Sequence, residues 1–254
     1  QHSDKFAYFH FADMFIQTEI LGDNFTREFN AIISVVSDDV GDVTKLYFDA
    51  LPELRKAGFT FVSESNFSSF LSGILNYKVM NGTYIKFGSE SPNILATIIE
   101  NEFDFDIKLD DKDDNEELAS LRTIVQRLYP QIRLPKTNRA LTAIITRSKK
   151  VILCGRGRYT AISKIYFPDY LRNQIFQWII NQNSSLTYSE VFERFKTRLQ
   201  LESNIDNGHF LHGALMYYYP EEFHFKRDVF AKVGDSIVRT DERVISLLEN
   251  NGMM

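Results

Sequence analysis

Two octapeptides decide how this chain is read: Phe70-Leu71-Ser72-Gly73-Ile74-Leu75-Asn76-Tyr77 and Phe210-Leu211-His212-Gly213-Ala214-Leu215-Met216-Tyr217. They agree at Phe, Leu, Gly, Leu and Tyr, and they lie 140 residues apart (210 − 70). Midway between them, Ala140-Leu141-Thr142-Ala143-Ile144-Ile145-Thr146-Arg147 has the same apolar rhythm, so Leu71, Leu141 and Leu211 follow one another at intervals of 70. Self-similarity at a fixed period is the mark of a repeated supersecondary unit, and it sets the architecture before any motif is considered.

Working outward, each of these segments is followed by a stretch able to pair as a hairpin, over residues 82–88, 149–162 and 222–234. Each is preceded by two more helical candidates with apolar residues at three- and four-residue spacing. These cover 24–36 and 42–58 in the first unit, with Pro52 expected to kink or shorten the second helix. They cover 92–101 and 116–129 in the second unit. In the third they cover 169–181, with the stripe Leu171, Ile175, Trp178 and Ile179, and 187–199, with Val191, Phe192, Phe195 and Leu199. Thr187 and Glu190 stand at capping-box spacing. The spacing predicts an α+β chain, mainly α with short β-hairpins, divided into modules at 24–90, 91–164 and 165–236. Flanking these are an N-terminal helical segment at 1–23 and a C-terminal helix at 237–254.

Three helices and a two-stranded hairpin, repeated about every seventy residues, resemble the winged-helix superfamily of helix-turn-helix modules. The resemblance is architectural, covers roughly residues 24–234 and points to no specific family. It implies nucleic-acid contact through the start of a third helix and through the hairpin, and it also admits the other use of this fold, packing against protein partners.

Charge distribution selects one module. The formal net charge is −5, which argues against a chain that grips nucleic acid along its whole length. Residues 100–117 hold ten acids against Lys108 and Lys112, and predict an exposed acidic connector at the front of the second module. From 130 to 180 the sign reverses, with ten Lys and Arg against Asp169 alone. The first and third modules are near balance, with six bases to eight acids over 24–90 and seven to eight over 168–234. Because each base that neutralises a phosphate releases counterions, a local basic surface matters even in an acidic protein.

Within the basic module, Lys136, Thr137, Asn138 and Arg139 follow Pro135 and are expected to open the third helix, whose first residues reach base edges in helix-turn-helix docking. Asn pairs bidentately with adenine and Arg with guanine. Arg147, Lys149 and Lys150 lead into a hairpin that turns on Gly155 and Gly157 with Arg156 and Arg158 at its tip, suited to phosphates or a minor groove. These nine residues are the expected contact set, and double-stranded DNA is the expected partner. Modules 1 and 3 are the expected place for a protein partner. The competing interpretations of the bases are an inert solubilising face and, for Gly155-Arg156-Gly157-Arg158, half of a dinucleotide fingerprint that lacks its third Gly. In the third unit, Asn207 and His209 offer a weaker second reading surface, opposed by the surrounding acids.

Other chemistry finds little foothold. The single Cys154 excludes an internal disulfide and a multi-cysteine metal site, and it fits a reducing compartment such as a bacterial cytoplasm. His209, His212 and His224 make a three-ligand zinc site imaginable, but no fourth ligand accompanies them. No phosphate loop, nucleophile elbow or His-Glu-x-x-His motif occurs, so no catalytic residue, metal or cofactor is expected. Charged residues interrupt the opening stretch before it reaches signal or spanning length, so no membrane is expected. A chain opening on Gln1 reads as a piece of a longer protein. The expected role is therefore that of a bacterial transcription regulator or the recognition part of a larger DNA-processing or defence protein. An interaction scaffold is the alternative, and an enzyme without recognisable motifs is a more distant one.

Overall fold

The computed structural model describes residues 24–235 apart from 113, 183, 227 and 228, together with the backbone of two strands near the start. These strands, β1 (Phe6–Phe9) and β2 (Met14–Gln17), pair antiparallel with Phe6 opposite Gln17. This corrects the helical expectation for 1–23. Phe, Tyr and Ile suit an extended chain, and eight aromatic-rich residues cannot outweigh that preference by forming a helix. The helix expected at 237–254 lies outside the described residues.

From Phe25 the chain runs through one order three times: helix, strand, helix, helix, strand, strand. The first pass is α1 (Phe25–Val36), β3 (Val40–Asp42), α2 (Val43–Lys56), α3 (Glu64–Ile74), β4 (Lys78–Met80) and β5 (Thr83–Ile85). The second is α4 (Ser91–Glu102), β6 (Asp106–Lys108), α5 (Glu116–Leu128), α6 (Asn138–Ile145), β7 (Val151–Gly155) and β8 (Arg158–Ala161). The third, after a 3-10 turn, is α7 (Asp169–Ile180), β9 (Leu186–Thr187), α8 (Tyr188–Glu202), α9 (Gly208–Tyr218), β10 (Phe223–Phe225) and β11 (Val229–Lys232). Each pass makes one antiparallel three-stranded sheet in which the last strand lies in the middle: β3-β5-β4, β6-β8-β7 and β9-β11-β10. The chain is thus α+β.

Local chemistry explains the boundaries. Thr187 and Glu190 form the reciprocal capping box at the start of α8 that their spacing predicts. Ser63, Thr137 and Asn207 cap the third helix of each pass by accepting an N3 backbone N–H. Pro52 does not shorten α2, which continues to Lys56. Its buried face, Leu46, Tyr47, Ala50 and Leu54, extends to both sides of the proline and holds the turn beyond it. The first hairpin starts earlier than the expected 82–88, since β4 precedes Gly82. Asn81 and Gly82 both have positive φ (52° and 76°), as a two-residue type I′ turn requires.

The acidic stretch is not a connector. Glu100 and Glu102 complete α4, and β6 is built into a sheet with Ile107 fully buried and Leu109 nearly so. Apolar residues at 107 and 109 alternate with polar ones at 106, 108 and 110, the period of a half-buried strand, and the density of charge hides that period. Asn115 closes the loop beyond the strand by donating to the backbone oxygen of Lys108 and to the Asp110 carboxylate.

Leu71, Leu141 and Leu211 are all fully buried on the third helices. Their registers differ, however. Leu141 and Leu211 are each the fourth residue of their helix, whereas Leu71 is the eighth, one turn further along the same face, and fully buried Phe67 stands fourth. The two octapeptides also end differently. Asn76 leaves α3 with φ 55°, while the Tyr77 N–H returns to the Leu71 carbonyl; Met216 and Tyr217 are still helical.

The described residues form two compact units, the first comprising those up to 102 together with 116–148, the second 103–115 together with those from 149 onward. The second pass is therefore divided: its helices belong with the first pass and its sheet with the third. In the first unit, edge-to-face Phe contacts such as Phe25 with Phe59 and Phe29 with Phe67 fill the core among α1, α2 and α3. In the second unit, α9 lies on β7, and Ile152 and Cys154 join a core with Phe210, Leu211 and Ala214. The approach is so close that a Cβ on Gly213 would collide with the Leu153 carbonyl oxygen and sit 3.0 Å from its carbon and nitrogen. Gly73, its partner in the octapeptide match, is exposed.

The two matched glycines should therefore respond oppositely to alanine. Gly213→Ala forces backbone apart and is expected to cost about 2–3 kcal/mol. The measurement is urea unfolding followed through the single Trp178, which belongs to the same unit. Gly73→Ala, on an exposed helical face, should leave stability unchanged or raise it by up to about 1 kcal/mol.

Candidate nucleic-acid interface

The helix pair α5 and α6 is held by its apolar face and by one arginine. Leu118, Leu121 and Val125 of α5 and Leu141 and Ile145 of α6 are buried. Half-buried Arg122 reaches across the turn between the helices, donating to the Pro135 carbonyl at 2.7 Å and to Asn138 Oδ1 at 3.1 and 3.4 Å. Thr137 Oγ1 accepts from the Ala140 N–H at 3.3 Å and so caps α6. Thr137 and Asn138 are therefore structural parts of the turn. An adenine edge needs both the donor and the acceptor of an Asn amide, and the Asn138 acceptor already faces Arg122. Arg122 is the residue that sequence reasoning missed. Its signal is its position, directly beside Leu121 on a helix face that is otherwise apolar.

The remaining bases of this segment are differently placed. Lys136, Arg139 and Arg147 are exposed, and none of them forms an ion pair among the described residues. Elsewhere bases are paired with an acid three or four positions away: exposed Lys56 with Glu53 and Lys196 with Glu193, and half-buried Arg198 with Glu202. Lys136 and Arg139 also flank the N-terminus of α6, the positive end of the helix macrodipole, where cations are unfavourable and anions are attracted. Two bases at that end, with no acid in the first turn, leave an excess of positive potential facing solvent.

The hairpin β7–β8 belongs to the second unit. It turns at Arg156 and Gly157, the latter with φ 70°, and Arg156 is exposed. Lys149 is exposed as well, and Lys150 is half-buried. Arg158 is committed elsewhere. Its Nε and Nη2 donate to the two oxygens of Asp106 on β6, both at 2.7 Å, a bidentate pair across the sheet. This corrects the assignment of Arg158 to phosphate: the expected connector supplies the acid that occupies it. Those hydrogen bonds hold the Asp106 carboxyl below the usual carboxylate range. Beside it, burial pushes the Cys154 thiol up to about 12, so it is an inert thiol whose Sγ lies 3.7 Å from Asp106 Oδ2.

In the third pass Asn207 of the alternative reading surface is engaged by the protein itself, while His209 is exposed. Asn207 accepts from the Phe210 N–H and donates to the Cys154 carbonyl at 2.9 Å. The His212 ring stacks on Tyr188 with centroids 3.9 Å apart. Among the described residues no group of three or more His, Cys, Asp or Glu is placed to hold a metal ion, and no helix is long and apolar enough to cross a membrane.

The Asp106–Arg158 pair has a defined pH signature. A carboxyl whose folded-state pKa is depressed contributes stability above its ordinary value near 3.8 and loses that contribution as pH falls through the lower folded value. Asp106→Asn is expected to cost about 1 kcal/mol at neutral pH, a modest figure because both side chains are partly exposed. The difference from the parent protein should shrink progressively as unfolding is measured at pH values from 4 downward. Comparison of the chain with protein families, with curated proteins and with solved structures finds no match.

Proposed function

We propose that this protein binds double-stranded nucleic acid through the α5–α6 helix pair of the middle of three winged-helix-like modules. One observation carries this reading: Lys136, Arg139 and Arg147 stand exposed and without acidic partners around a helix whose positive end faces solvent. Lys136 and Arg139, at the positive end of α6, are unfavourable for the free protein, and together with Arg147 beyond its other end they are favourable against a line of phosphates. The order of elements supports the architecture, since three helices followed by a hairpin occur in each pass, and a turn fixed by Arg122 gives α6 a defined direction. DNA is the proposed form of the duplex, and the role is recognition rather than catalysis.

A scaffold reading has its own support in the third pass. There the third helix, which reads DNA in helix-turn-helix proteins, is packed on β7 through Gly213 and is used to build the protein itself. On that reading the modules pack against a protein partner and make no nucleic-acid contact.

The test is binding of a labelled duplex over a salt series. Lys136→Ala, Arg139→Ala and Arg147→Ala combined should weaken binding to all sequences and reduce the slope of log K against log salt by up to about 0.9 for each lost phosphate contact. Lys149→Ala with Arg156→Ala reports separately on the hairpin, while Arg158→Ala should lower stability and leave the slope unchanged. Equal affinity and equal slope for the parent and the triple variant would favour the scaffold.

A further inference from the structure

The first compact unit contains a second feature, of opposite charge. Between β3 and the ends of α2, α4 and α5 lies a cleft of about 330 Å³, at the small end of ligand-binding pockets. Asp38, Asp42, Asp49 and Glu102 line it, against Lys45 as its only base. Its floor is aromatic. Tyr84 lies against the backbone at Gly41, where a Cβ would come within 2.9 Å of the phenol oxygen and press on the ring. The Tyr84 hydroxyl oxygen accepts from the Asp38 N–H.

Tyr129 separates this cleft from an ordinary acidic surface. It is only 3% exposed and lines the cleft, yet its hydroxyl has no hydrogen-bond partner among the described residues. Its ring is buried while the hydroxyl itself is not enclosed, so the oxygen is open to a polar group bound in the cleft. Burial, then the nearby Glu102 and Asp42 carboxylates, push Tyr129 up to about 12, so it remains a neutral phenol at physiological pH. Its oxygen is then free to accept a hydrogen bond, and the Tyr84 side chain lines the same cleft.

We infer that the cleft bounded by Asp42, Asp49, Glu102, Tyr84 and Tyr129 is a binding site for an alkylammonium or guanidinium group. A net excess of carboxylates attracts the charge, the phenol oxygen of Tyr129 accepts one N–H, and the aromatic walls cover the methylene stem. An organic cation suits the cleft better than a metal ion, because the carboxylates are dispersed around it rather than gathered on one point. The group has two sources, a free polyamine or a Lys or Arg side chain of a partner, and the chemistry is shared. The inference stands apart from the nucleic-acid reading, since none of these residues belongs to the basic cluster.

Isothermal titration of the full chain at low salt tests it, with 1,4-diaminobutane, agmatine and blocked tripeptides centred on Arg or Lys as probes, and neutral 1,4-butanediol as control. At least one amine or guanidine should bind with a Kd of about 1 mM or tighter, and the diol should not. Asp49→Asn with Glu102→Gln, both on exposed residues, should weaken that binding about tenfold, and Tyr129→Phe by roughly three- to tenfold with the circular dichroism unchanged. Binding of the free amines identifies a small-molecule site, and binding of the tripeptides alone identifies a partner's side chain. No heat from any probe up to about 10 mM, or binding that the Asp49/Glu102 variant leaves intact, would overturn the inference. Duplex binding measured on the same variants should be unaffected, which keeps failure here distinct from failure of the nucleic-acid reading.

Discussion

The contact between the backbone of α9 at Gly213 and the Leu153 carbonyl of β7 is the constraint on which the second compact unit depends. A three-stranded sheet with strands of three to five residues, like β6-β8-β7, cannot stand alone in water, because it has too little apolar surface to offset the entropy of ordering it. Only by bringing the helix within backbone distance can Ile152 and Cys154 enter the same core as Phe210 and Leu211. Close-packed interiors reward such an approach through many small dispersion contacts, and they tolerate no extra atom there. The glycine common to the two octapeptides is thus structural at one site and incidental at the other.

This packing also changes what a repeated sequence means. Three passes through the same order of elements do not give three independent bodies, since the helices and the sheet of the middle pass belong to different compact units. A helix that is apolar on most sides, as α9 is, has been recruited into a core, whereas α6 keeps a narrow buried face and exposes its bases. Equivalent positions in the order of elements consequently carry different chemistry, and the basic excess of the middle segment divides accordingly. Arg158 became part of a sheet through Asp106, Arg122 positions a turn, and Lys136, Arg139 and Arg147 remain turned to solvent.

Most helices were legible because their signals are local. Apolar spacing places α1, α4, α5, α7 and α8 within a few residues, and the Thr187–Glu190 box marks the start of α8. The first strand of every pass was not legible. Val40–Asp42 and Leu186–Thr187 are too short to show an alternation, charge hides the one at Asp106–Lys108, and all three exist because a partner strand far along the chain pairs with them. The start of the first hairpin was legible in principle, since Asn81-Gly82 is a strong type I′ signal. At the candidate site, the identity of the exposed bases follows from charge counting alone. Which of them are already paired does not, because Asp106 lies 52 positions from Arg158 and reads as one acid among ten.

Cys154 gives the protein a built-in reporter. It is the only cysteine in the chain, it is 5% exposed, and its thiol is held protonated beneath α9. Since the thiolate is the reactive form, an alkylating reagent can modify it only when β7 and α9 part. The rate of that reaction therefore measures how often the second unit opens, without any label or added residue. It also means that a cysteine introduced on the surface would be the sole reactive thiol of the folded protein, so a fluorophore can be placed on the basic helix or in the acidic cleft without competition from the native chain.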